Sequence, residues 1–69
     1  MIRLKNEFHG TATFLRPKNG RVSPEALRRA ERRLCGVSGC CCWHSEIHPD
    51  DAERWTRVPR ADGDLIVAN

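Results

Sequence analysis

The chain has 69 residues, 39% hydrophobic and 30% charged, with a formal net charge of +3. That allows a single domain, 1–69, whose core is marginal without a metal, a disulfide or a partner as a staple. Residues 1–8 lack the apolar core of a signal peptide and no apolar run is long enough to span a membrane, so the expected setting is the cytoplasm, where thiols stay reduced.

The charge is uneven. Residues 1–42 hold nine Lys/Arg and three Asp/Glu, whereas residues 43–69 hold three and six. Two faces of opposite sign are expected, and the basic one suits nucleic acid or an acidic protein surface.

Residues 1–8 alternate, with Ile2, Leu4 and Phe8 on one side and Arg3, Lys5 and Glu7 on the other, the period of a half-buried strand. His9 and Gly10 then form a tight turn into a second strand over 11–16. The run 17–20, Pro-Lys-Asn-Gly, is turn chemistry. Ser23, Pro24 and Glu25 start a helix with a capping hydroxyl, a proline at its first position and an acid at its positive end. The helix is expected to run to Leu34 or Cys35, with Gly36 as its stop. Leu27, Ala30 and Leu34 form its apolar stripe, and Arg28, Arg29, Arg32 and Arg33 fall opposite. His48, Pro49, Asp50 and Asp51 open a second, short helix with Ala52 and Trp55 inward, ended by Pro59. Asp62-Gly63 is a turn, and 65–67 is a short final strand placed to join the hairpin. The expected fold is therefore a small α+β domain. It has an antiparallel hairpin, a third C-terminal strand, one basic helix and a cysteine knuckle over 2–42, then a short acidic helix and the final strand over 43–69.

Four cysteines, Cys35, Cys40, Cys41 and Cys42, lie within eight residues. Zinc takes four nitrogen or sulfur ligands in a tetrahedron. In an extended segment Cys40 and Cys42 point the same way and Cys41 points away, so Cys35, Cys40 and Cys42 make a set of three. His9 and His44 are the candidates for the fourth position. A second set, Cys35, Cys40, His44 and His48, has a spacer far shorter than a zinc finger needs. Free structural thiols, and a disulfide cross-link or redox-active thiol, are the other readings of the cluster.

The arginine face can bridge phosphates, or be a solvated face partly balanced by Glu25. The face has no aromatic interleaving, and no helix-turn-helix pattern is present. Catalysis has little support. No nucleophile–base pair, phosphate loop or carboxylate pair stands out, and the chain has little room for a deep substrate pocket.

The stretches 6–11 (Asn-Glu-Phe-His-Gly-Thr), 15–23 and 34–42 resemble a family of small proteins from bacteria, phages and prophages. That family shares an F-H-x-T turn and an L-C-G-x-x-G-C-x-C knuckle. The resemblance spans residues 2–42, brings no assigned activity, and implies that His9, Cys35, Cys40 and Cys42 belong together while Cys41 is dispensable. After Cys42 the chain departs from the pattern, with Trp43, His44 and an acidic tail in place of glycines.

The expected function is a non-enzymatic binding module of phage or mobile-element type, held by one Zn²⁺ per chain and working in the cytoplasm of a bacterial host. Its first reading is nucleic-acid binding through Arg28, Arg29, Arg32 and Arg33. Its alternatives are an inhibitor of a host defence complex, like an anti-CRISPR, acting by protein–protein binding, and a redox-active thiol protein. Neither a membrane nor a small-molecule substrate is expected as partner.

Overall fold

The structure, a computed structural model, describes all of residues 1–69. Its elements are β1 (Ile2–Asn6), β2 (Thr11–Leu15), β3 (Arg21–Val22), α1 (Pro24–Ser38), β4 (His44–Ile47), a 3₁₀ turn (Pro49–Asp51), β5 (Trp55–Arg60) and β6 (Gly63–Ala68). The strands form two antiparallel three-stranded sheets, ordered β2-β1-β4 and β3-β6-β5. The fold is thus α+β, as the patterning indicated, with one helix where two were expected and with more strands than expected.

The hairpin pairs Ile2 with Leu15 and Asn6 with Thr11. Strand β1 stops at Asn6 instead of running on to Phe8. The Asn6 side-chain carbonyl accepts the His9 backbone N–H at 3.1 Å, which folds residues 7–10 into a loop that Gly10 closes with φ +63°. Phe8 is lifted out of the sheet and is 85% exposed.

Helix α1 starts as its sequence dictates, with the Ser23 hydroxyl accepting the Ala26 N–H at 3.1 Å. It does not stop at Gly36. A glycine inside a helix costs only about 1 kcal/mol, and the next turn is held where the Ser38 hydroxyl donates to the Leu34 carbonyl at 2.6 Å. Gly39 takes the left-handed cap at φ +69° and returns its N–H to the Cys35 carbonyl.

The second helix is absent. His44–Ile47 instead pairs with β1, and Trp55–Arg60 pairs with β6. Only Pro49–Asp51 turns helically, its start capped where His48 Nδ1 accepts the Asp50 N–H at 3.1 Å. Pro59 does not end a helix. It sits in β5, an edge strand, where its missing N–H removes no bond from the sheet interior. The final strand joins β3 and β5, not the hairpin. Arg57 ties the two sheets together. Its guanidinium donates to the Ser45 hydroxyl at 3.2 Å, the Ser45 carbonyl at 3.1 Å and the Asp64 carboxylate at 3.0 Å.

The core is small. Ile2, Val22, Leu27 and Ile66 form one cluster, with Leu15, Ala26, Ile47 and Trp55 packed on it. Of the α1 stripe only Leu27 is buried. Ala30 and Leu34 lie beyond the part of the helix that the core covers and are half-exposed. No helix is long and apolar enough to cross a membrane.

Candidate functional site

The positive φ of Gly39 turns the chain back along the last helical turn, and Trp43 Nε1 holds it there by donating to the Ser38 hydroxyl at 3.1 Å. Cys41, expected to point away, meets Cys35. Their sulfurs are at bonding distance as a disulfide, with Cα atoms 4.8 Å apart. Extending α1 by one turn beyond the expected stop brings this about, because Cys35 then lies inside the helix beneath the returning chain.

Cys40 and Cys42 remain as free thiols, the first half-buried and the second exposed. The buried Asn6 amide donates to Cys40 Sγ at 3.4 Å. This amide, then Cys42 and His9, favour the thiolate and bring Cys40 from 9.0 down to about 7. The shared hydrogen bond and the charge on Cys40 push the Cys42 thiol up. Of the expected ligand set, Cys42 and His9 each act on the Cys40 thiol, while Cys35 is drawn to Cys41. No group of three or more His, Cys, Asp or Glu side chains is arranged to hold a metal ion. While Cys35 is bonded to Cys41, the four-donor set is incomplete, so this arrangement does not fit zinc. His44 lies on β4 opposite Lys5, and His48 caps the 3₁₀ turn.

The four arginines are all exposed, yet they have different surroundings. Arg28 donates to the Asp62 carbonyl in the β5–β6 turn. Arg32 borders a cleft with Cys35, Cys41 and Trp43. Arg29 is 3.2 Å from Glu25, one helical turn before it. Together with Arg33 it rims a groove of about 520 Å³ between α1 and β2. Leu15, Ala26, Ala30 and Leu34 line that groove, with Val37 at its end. Its apolar lining joins Leu15 of β2 to the uncovered part of the α1 stripe, Ala30 and Leu34.

Two features were hidden in the sequence. The groove needs the packing angle of α1 on β2, which no local pattern encodes. A basic depression formed by Arg16, Lys18, Arg21 and Arg29 depends on the turn at Asn19 and Gly20, both at positive φ. The Pro-Lys-Asn-Gly turn and the helix start at Ser23 were each visible, but their packing side by side was not.

The chain matches no protein-family model, and no curated protein or solved structure matches it at a significant level.

Proposed function

We propose that the protein is a non-enzymatic module that binds an acidic protein through the α1–β2 groove and the arginines at its rim. The observation that carries this reading is the juxtaposition of an uncovered apolar lining with Arg29 and Arg33. Phosphates have no use for the apolar part, whereas a protein segment with aliphatic and acidic side chains uses both. The resemblance of residues 2–42 to small phage and bacterial proteins fits an accessory role in a bacterial cytoplasm, of which inhibition of a host defence complex is one form.

Nucleic-acid binding is the second reading. It rests on the depression of Arg16, Lys18, Arg21 and Arg29, which has no acid in its lining. Fluorescence anisotropy separates the two readings. A random glutamate–alanine copolymer is expected to bind, and Arg29→Glu with Arg33→Glu to weaken it by at least about tenfold. Random-sequence DNA is expected to bind no tighter than about 10⁻⁴ M at physiological salt. Micromolar DNA binding with no copolymer binding would reverse the choice.

Zinc belongs to the reduced knuckle in this reading. Reduction of the Cys35–Cys41 bond would free Cys35 as a fourth donor beside Cys40, Cys42 and His9, and a zinc ion held there would act as a structural staple. Native mass spectrometry after reduction in the presence of zinc is expected to show one ion per chain. Cys40→Ser should lose it, while Cys41→Ser should keep it. An ion retained equally by both variants would reject this ligand set.

A further inference from the structure

We infer that β2 is a docking edge: an extended segment of a partner protein, its inward side chains aliphatic and acidic, adds to β2 as a further strand over the α1–β2 groove. This inference rests on the proposed binding of an acidic protein and specifies its mode.

Strand β2 has β1 on one side only, so its other side presents unpaired backbone N–H and C=O groups. Folded proteins blunt such edges with charges, prolines or brevity. Strand β2, Thr-Ala-Thr-Phe-Leu, has no charge and no proline over five residues, and all but Leu15 are exposed. The other free edges are protected. Strand β3 is two residues long, and β5 carries Arg57, Pro59 and Arg60. Strand β4 gives its Ser45 carbonyl to Arg57 and holds Glu46 against Arg3. One edge alone is left open, and it borders the apolar groove.

The pleat fixes what the occupant presents. Leu15 lies opposite Ile2 and Thr13 opposite Leu4, and both of those partners are fully buried, so Leu15 and Thr13 face α1. An added strand continues the pleat, with every second side chain over the groove. Aliphatic groups there cover Ala30 and Leu34. Carboxylates reach Arg33 and also Arg29, whose present partner Glu25 is an exposed and weakly held one. Phe14, 53% exposed, also borders the groove and adds to its apolar area. A second copy of the chain is a poor occupant, because its own open edge, β2, carries no acid to offer the two arginines.

The test uses a fluorescent heptapeptide, Val-Thr-Glu-Thr-Val-Thr-Glu, its counterpart with lysine for glutamate, and two versions of the first N-methylated at alternate amides. Each N-methylated version blocks the backbone hydrogen bonds of one peptide edge without altering the protein. The acidic peptide is expected to bind, with the lysine peptide weaker by at least about tenfold. One N-methylated version should lose binding and the other keep it. Equal binding of both N-methylated versions and the parent would overturn strand addition while leaving the acidic-partner reading in place. No binding of the acidic peptide at millimolar concentration, with random-sequence DNA bound instead, would overturn both. No binding of the acidic peptide, with the glutamate–alanine copolymer still bound through Arg29 and Arg33, would overturn the docking edge alone.

Discussion

Ile66→Ala is expected to leave much of the chain unfolded at room temperature. Ile66 lies in β6, the middle strand of the second sheet, and none of its surface reaches solvent. It packs in one cluster with Ile2 of the first sheet, Val22 of β3 and Leu27 of the helix, so a single side chain joins all the layers. Truncating a buried isoleucine to alanine costs about 2–5 kcal/mol, from lost transfer energy and the cavity left behind. The stability of a small domain is roughly 0.05–0.15 kcal/mol per residue, which gives a total of comparable size here. In urea denaturation the midpoint should fall by more than half, with Ile66→Val losing only about 0.5–1.5 kcal/mol. A midpoint shift for the alanine variant no larger than that of a surface substitution would mean that the two sheets do not share this core.

Asn6→Ala is expected to have two effects. The side chain is fully buried, and both ends of its amide are used. The carbonyl fixes the loop through the His9 N–H, and the NH₂ bonds Cys40. Removing them strands a loop N–H and opens a small cavity, at a cost of about 2 kcal/mol. The same change acts on the thiol. The Asn6 amide is the leading cause that holds Cys40 near 7 in place of 9.0, so its loss raises the thiol toward the ordinary value. The alkylation rate of Cys40 should be half-maximal near neutral pH in the parent, and at distinctly higher pH in the variant. The stability linkage has the same sign. The thiolate is favoured in the folded chain, so its contribution is complete above the unfolded value and is lost as pH falls through about 7. An unchanged alkylation profile in Asn6→Ala would remove Asn6 from the account of this thiol.

Most local signals in the sequence carried through to the structure. Ser23-Pro24 starts the helix, the alternation of Ile2 and Leu4 makes a strand, and 65–67 lies in one. The errors share a cause. His48-Pro49-Asp50-Asp51 does initiate a helical turn, but the conformation of residues 55–60 is decided by pairing with β6, where Thr56 and Val58 supply strand-forming side chains. Proline at position 59 suggested a helix end because an edge strand, its other permitted place, was not anticipated. Phe8 continued the alternation of β1, yet the Asn6 side chain captured the backbone of His9 and closed the loop early. In the knuckle, the helix passing through Gly36 changed which cysteine faces Cys35. The arginine positions were legible, but their division between a tether, a cleft and a groove is a property of tertiary packing.

Backbone amide chemical shifts of the ¹⁵N-labelled chain, recorded during separate titrations with the acidic heptapeptide and random-sequence duplex DNA, test the central claim most directly. The peptide is predicted to shift residues 11–15 of β2 together with Arg29, Arg33 and Val37, while the DNA leaves β2 unmoved. Shifts centred on Arg16, Lys18 and Arg21 with DNA, and none along β2 with the peptide, would contradict it.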